Sequence, residues 1–240
     1  MHRLLVATDL LNEESPALPA EAARHLRVLR PKDGEEFELF DGRGSWRVYA
    51  WSDGLQARSG RRTAERPADS LTLFACVTKG SRWDWTVEKA TELGVTRIVP
   101  VISDRTIVRL PKDERAAKRE RWLRIAEDAA RQSDAKWLPD ILEAVDFRDA
   151  LPLVKETACF VGALTNPPPP PLAAAVAKVR ARGGASAYAA FVGPEGDFTR
   201  DELAALTEIA VPTSFGPTVL RAETAAIFAV SVLASMRGAD

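Results

Sequence analysis

Apolar and polar positions change their rhythm once along this chain. Up to about residue 66 the pattern is that of short strands with a single helix. In "PAEAARHLRVLR" the apolar positions Ala22, Leu26 and Leu29 recur at helical spacing on one stripe. "EEFELFDGRGSWRVYAWSDG" then alternates, with Phe37, Leu39, Trp46, Val48 and Ala50 on strand faces. "DGRG" between the two runs predicts a hairpin turn, because Asp-Gly readily supplies positive φ. This spacing fits a small barrel. "RSGRRTAERPADS", Arg58 to Ser70, is polar and reads as a linker, or as an edge strand followed by one.

From Leu71 onward the chain alternates buried strands with helices. "LTLFACVT" and "VTRIVPVIS" are strands, and "RWDWTVEKATELG" between them is a helix with Gly94 at its C-terminal end. "PKDERAAKRERWLRIAEDAARQS" is a long helix whose apolar stripe is Trp122, Ile125, Ala126 and Ala129. "ACFVGAL" and "YAAFVG" are further strands. "TRDELAALTEIA" is a helix with Thr199 as its N-cap. The last helix, Thr224 to Met236, is apolar on nearly every side. Such alternation predicts an α/β domain with a mainly parallel sheet. There are no internal repeats, and "NPPPPP" is expected to be a stiff polyproline-like loop.

Composition narrows the class. The chain has 240 residues, 46% hydrophobic and 28% charged, and no apolar run of transmembrane length. The N-terminus lacks a clear cleavage site, so a mature cytoplasmic protein without membrane attachment is expected. Cys76 and Cys159 lie in strand-like runs and are expected to be buried thiols; with two histidines far apart, no metal site is expected. The net charge of −1 argues against bulk electrostatic wrapping by nucleic acid but leaves room for a local basic face.

The candidate chemistry lies at the strand ends. G-x-G-x-x-G, G-x-x-x-x-G-K-[ST] and G-x-S-x-G are all absent, which disfavours the common dinucleotide, triphosphate and serine-hydrolase sites. Three strand ends are nonetheless glycine-rich: "FVGAL", "FVGPEG" and "SFGPTVLRAET". In "FVGPEGDFTRDEL", Gly193, Pro194 and Gly196 are more than a turn needs, and suggest a backbone that comes close to a ligand.

"GPEGDFTRDEL" followed by "LRAETA" resembles the SPOUT superfamily of methyltransferases, whose C-terminal segment is tied in a trefoil knot. More narrowly, the chain is similar over its whole length to the family that methylates N3 of a uridine in 16S ribosomal RNA. "HLRVLR" and "LFDGRG" resemble that family's N-terminal PUA-like part. "TKGSRWDWTVEKATELGV" and "SDRTIV" resemble the start of its catalytic domain. The resemblance implies an α/β protein with a PUA-like RNA-binding β-barrel over residues 1–68 and a trefoil-knot methyltransferase domain over 69–240. It implies S-adenosyl-L-methionine as cofactor, no metal, a homodimer, and small-subunit ribosomal RNA or the 30S subunit as partner.

Residue by residue, the resemblance places the cofactor on Gly162, Ala163 and Leu164, on Gly193, Pro194, Glu195 and Gly196, and on Phe215, Gly216, Val219, Leu220, Ala222, Thr224 and Ala225. Arg221 is the candidate for stabilising charge that develops on the base. Glu223 has two readings: a first-turn acid that complements the helix dipole, or a group that holds Arg221 or accepts the proton. RNA contacts are expected at Arg3, His25, Arg27 and Arg30, although solubility charge explains that cluster equally well. Lys79, Arg82 and Arg105 are expected near phosphates at the site. Trp83 and Trp85 are read either as base-stacking or as core and dimer residues.

The chain departs from the family pattern at Asp134 and Ala135, where Gly-Arg is usual, at Asp197, where a glycine is usual, and at Thr218, where an arginine is usual. These departures keep two rivals open: a non-catalytic or retargeted RNA-binding or ribosome-assembly protein, and another α/β enzyme that uses the glycine turns for a nucleotide phosphate.

Overall fold

In the computed structural model, which describes residues 1–155 and 157–236, the "DGRG" turn forms as the alternation requires. Asp41 Oδ1 accepts from the backbone N–H groups of Arg43 (2.8 Å) and Ser45 (2.9 Å), and Gly42 and Gly44 take φ of 65° and 93°. This turn joins two antiparallel strands, and the chain as a whole divides into two compact units. The first comprises Met1–Pro67 with Glu127–Leu138, and the second Ala68–Ala126 with Pro139 onward.

The first unit holds β1 (His2–Leu5), α1 (Ala20–Leu29), β2 (Glu36–Phe40), β3 (Ser45–Trp51), β4 (Leu55–Ala57) and β5 (Arg62–Thr63). The sheet order is β1-β2-β3-β4, with β5 also on β3. β1 runs parallel to β2, and the other pairs are antiparallel. The expected barrel is thus an open one with β1 and β4 at its ends. Leu4, Leu11, Phe37, Leu39, Tyr49 and Leu55 fill its core.

On β3 the buried positions include Arg47 and Tyr49, whereas Trp46 and Val48 are half-buried. Both long side chains bury an apolar stem and find carbonyls for their polar tips. Tyr49 Oη donates to Leu10 and Glu13, and the Arg47 guanidinium donates to Ser59, Glu13 and Glu14.

Arg3 corrects an expectation. It is 8% exposed and faces inward rather than toward RNA. Its guanidinium donates to Glu38 Oε1 at 2.7 Å and to the carbonyls of Ala130 and Ala135, and it lies over the Phe40 ring. Lys136 donates to the same Glu38 oxygen. Arg3 is therefore a buried structural cation.

The second unit holds β6 (Ser70–Cys76), α2 (Ser81–Glu92), β7 (Arg97–Ile102), α3 (Lys112–Ser133), β8 (Asp140–Ile141), β9 (Val145–Asp146) and α4 (Phe147–Ala150). They are followed by β10 (Ala158–Gly162), α5 (Leu172–Arg180), β11 (Ala187–Val192), α6 (Arg200–Thr207), β12 (Val211–Thr213) and α7 (Ala222–Ser235). The last turns of α3 are grouped with the first unit.

All strand pairs in the second unit are parallel, in the order β12-β10-β11-β6-β7-β8 with β9 also on β7. Both faces of the sheet are covered, as parallel sheets require. Leu71, Leu73 and Ala75 pack with Trp83, Val87, Trp122, Val176, Ala229 and Leu233 on one side. Phe74, Val99, Val161 and Phe191 pack with Phe147, Phe198 and Leu206 on the other.

Local signals are obeyed. Gly94 ends α2 at φ 78°, and Thr199 opens α6 with a reciprocal capping box to Glu202. The polyproline stretch runs directly into α5, a helix that the sequence pattern did not reveal. Among the described residues, no helix is long and apolar enough to cross a membrane.

Candidate active site

β12, β10 and β11 are neighbours in the sheet although β12 is last in sequence, so their carboxyl ends deliver three loops to one place. Gly162–Leu164 follow β10, Gly193–Asp197 follow β11, and Ser214–Leu220 follow β12 and lead into α7. Together they enclose a cavity of about 320 Å³. Small residues are required there. A Cβ on Gly162 would stand 2.5 Å from the Phe215 ring, and one on Gly193 would stand 3.2 Å from Phe198 and Asp197.

The residues expected to hold the cofactor line this cavity, with two exceptions. Thr224, which is exposed, and Gly196 are both absent from the lining. Gly196 does not take a left-handed backbone, and a Cβ there would make ordinary 3.5 Å contacts with Arg105. Its role is to offer its carbonyl to Arg105 Nη1 at 2.9 Å. The left-handed residue of the turn is Asp197, φ 60°.

Asp197 belongs to the lining, as do Val192, Ser214 and Thr218, none of which was expected to hold the cofactor. They are near neighbours of the nominated residues along the chain, and that adjacency was the available signal. Asp197 replaces a glycine of the family pattern, and so does Asp134, which has φ 59°. Aspartate is among the few side chains that tolerate this conformation, so the backbone is preserved at both departures.

Charge enters the cavity from Glu195, Asp197 and Arg221. Arg221 is the N-cap residue of α7 and is exposed, and its side chain makes no ion pair among the described residues. The expectation that Glu223 holds Arg221 is not met. Glu223 Oε1 lies 3.9 Å from Arg82 Nε, while its buried Oε2 has no hydrogen-bond partner. Arg82 Nη1 also reaches Glu195 Oε1 at 3.4 Å, so Arg82 stands between two carboxylates.

Lys79 and Arg105 are exposed, as are His25, Arg27 and Arg30 on and after α1. Trp83 is a core residue packed edge-on against Trp122, whereas Trp85 is 41% exposed. Burial pushes the Cys76 and Cys159 thiols up to about 12, which removes both as nucleophiles. Among the described residues no cluster of His, Cys, Asp or Glu has the makings of a metal site.

Known proteins share this fold. Residues 64–234 match the RNA methyltransferase domain model, and residues 18–50 the RNA methyltransferase PUA domain model. A crystal structure of ribosomal RNA small subunit methyltransferase E from Neisseria gonorrhoeae, bound to S-adenosyl methionine, superposes with a TM-score of 0.83. It is 28% identical, with 98% of each chain covered. A Legionella pneumophila putative methyltransferase in complex with the same cofactor gives a TM-score of 0.78 at 27% identity, covering 97% of this chain and 96% of that one. These matches define the class: a PUA-containing RNA methyltransferase with the SPOUT-type α/β fold.

Among curated relatives, ribosomal RNA small subunit methyltransferase E of Mycobacterium bovis is 31% identical over 88% of this chain and 81% of its own. The Bacillus subtilis relative of that name is 32% identical over 65% of this chain and 61% of its own length. The chain belongs to the ribosomal RNA small subunit methyltransferase E family.

Proposed function

We propose that this chain methylates N3 of a uridine in small-subunit ribosomal RNA, with S-adenosylmethionine as the methyl donor. The observation that carries the reading is the cavity built from three glycine-bearing loops, where backbone and small side chains leave room for an adenosine. Its charged lining also fits the donor. Glu195 and Asp197 suit a cationic sulfonium and ammonium group, and Arg221 suits charge developing on the base. When bound, the cofactor supplies an electrophilic methyl group and leaves as S-adenosylhomocysteine.

The protein's share of the chemistry is to free the lone pair on uracil N3. Loss of the N3 proton puts negative charge on the ring and its carbonyl oxygens. The unpaired Arg221 guanidinium at the cavity wall stabilises that charge. Glu223, with an unpartnered oxygen at the start of the same helix, is the candidate proton acceptor. Incubation with labelled cofactor and unmethylated 30S subunits tests the reading: label mapping to uridine N3 supports it, and absence of transfer to any ribosomal particle sinks it.

The loops predict a specific sensitivity. Gly162→Val must displace the Phe215 ring, which would stand 2.5 Å from even a bare Cβ. The affinity for S-adenosylhomocysteine is expected to fall at least about tenfold, or ~1.4 kcal/mol. Calorimetric titration of the folded variant measures it, and unchanged affinity would remove the first loop from the site.

We also infer a homodimer. Ile227, Phe228, Val232 and Met236 on and after α7 remain half-buried, and Leu164 and Val219 are 64% and 75% exposed at the cavity rim. Apolar surface of this kind is covered most simply by a second copy. Light scattering at micromolar concentration is expected to give twice the chain mass, and a monomer would contradict the proposal.

A further inference from the structure

A second cleft, of about 560 Å³, lies in the same unit between the end of β6, the start of α2, residues 107–110 and the first turns of α3. Its size is that of a ligand pocket, roughly 300–1,000 Å³. Four cations line it: Lys79, Arg109, Lys118 and Arg121. Asp84 is the one acidic side chain in the lining and is committed to Arg121, whose Nη2 donates to it at 2.6 Å. Lys79, Arg109 and Lys118 are exposed and form no ion pair among the described residues. Three unneutralised charges around one concavity repel one another, and an anion relieves that repulsion.

Two further features describe the ligand. Gly80, the N-cap residue of α2, offers no side-chain cap, so the first N–H groups of this helix are left to other acceptors. Beneath the charged rim the cleft is apolar, with contributions from Val77, Leu110 and Trp122, and Ile107 stands 62% exposed at its edge. A free phosphate would use the rim and leave the apolar part empty. A nucleotide unit of a single strand uses both: its phosphate meets the cations and its base covers the apolar surface.

Position selects the strand. Lys79, Gly80 and Ser81 form one wall of the cleft, and the next residue, Arg82, reaches Glu195 in the wall of the cofactor cavity. The two cavities therefore flank the first turn of α2. We infer that the second cleft seats a nucleotide neighbouring the target uridine on the same RNA strand, with Lys79, Arg109 and Lys118 on its phosphates. This inference rests on the proposed function and adds the binding track by which the substrate is held.

The test is fluorescence anisotropy of the full chain with a labelled single-stranded oligoribonucleotide containing one uridine, over a salt series. Every phosphate that a protein neutralises on a single strand adds about 0.7 to the steepness of log affinity against log salt. Arg109→Ala with Lys118→Ala is therefore expected to make the slope shallower by about 1.4 and to weaken binding at least about tenfold near 0.1 M salt. A control pair outside the cleft, Arg124→Ala with Lys178→Ala, is expected to leave the slope unchanged. Affinity for S-adenosylhomocysteine is expected to be unchanged in both pairs.

Wild-type slope and affinity in the cleft variant, with 30S methylation intact, would overturn the inference and leave the proposed function standing. A change of oligomeric state in that variant, with RNA binding unaltered, would assign the cleft to a second copy and also overturn it. Failure of the wild type to bind the oligoribonucleotide would overturn the inference, while the 30S transfer assay decides the proposed function separately.

Discussion

Arg221→Ala is expected to lower the single-turnover rate of methyl transfer by about a hundredfold to a thousandfold, on the order of 3 kcal/mol of transition-state stabilisation. The reasoning starts from position. Arg221 caps the N-terminus of α7, where the helix dipole disfavours a cation, and its guanidinium has no carboxylate partner among the described residues. In the proposed function, this unpaired cation at the wall of the cavity serves charge that arrives during the reaction.

Because that charge is absent from the ground state, affinity for S-adenosylhomocysteine is expected to change little and thermal stability hardly at all. Arg221→Lys retains the charge but loses the planar fork, and is expected to fall between the two. Single-turnover assays at saturating cofactor, beside a melting curve for each variant, separate the outcomes. A near-normal rate in the alanine variant would end the catalytic assignment and leave the cavity assignment in place.

Arg3→Ala is expected to act on stability instead, with a loss of about 3–5 kcal/mol from the first unit. The Arg3 and Glu38 side chains are 6% and 5% exposed. Removing the guanidinium leaves Glu38 with Lys136 as its remaining cation, and leaves the carbonyls of Ala130 and Ala135 without the donor they now share. Asp134 feels the same group. The Lys136 ammonium, with help from Arg3, holds its carboxyl below the usual carboxylate range.

Replacing both members of the pair with apolar residues, Arg3→Met with Glu38→Leu, is expected to recover much of the loss, because no buried carboxylate then remains. Thermal and urea denaturation of the three chains measure this. A wild-type melt for Arg3→Ala together with a shallower salt dependence of RNA binding would restore Arg3 to the RNA surface.

Arg3 also illustrates what a sequence conceals. Along the chain it is one basic residue among several near the N-terminus, and only the parallel register of β1 with β2, Arg3 opposite Glu38, shows why it is buried. Many strands and helices were legible: α2, α3 and α6 from helical spacing and end signals, β6, β7, β10 and β11 as short apolar runs bounded by turn residues, and α7 as a longer apolar run. β8 and β9 were not, since two residues cannot display a pattern, and β12 was visible only through the glycine-rich stretch at its end. α5 was obscured because the prolines before it read as loop and its alanines carry little amphipathic contrast.

The site divides in the same way. The three glycine-bearing loops were visible as motifs, and most of their residues line the cavity. Which atom of each loop faces inward was not visible: Gly196 turns its carbonyl to Arg105, and its neighbour Asp197 takes both the left-handed backbone and a place in the wall.

By itself, the sequence determined the local elements, the change from a β-rich part to an alternating α/β part, and the identity of the three loops, because each is encoded by residues within a few positions of one another. Tertiary structure alone decided the order β12-β10-β11, which brings together loops separated in sequence by whole helices and strands. It also decided the pairing of Arg82 with Glu195 and Glu223, the inward turn of Arg3, and the convergence of Lys79, Arg109 and Lys118 on a second cleft. Periodicity reports which face of an element is buried but not which element lies beside it. Charges pair by distance in space, and that distance is set by the packing of the whole sheet.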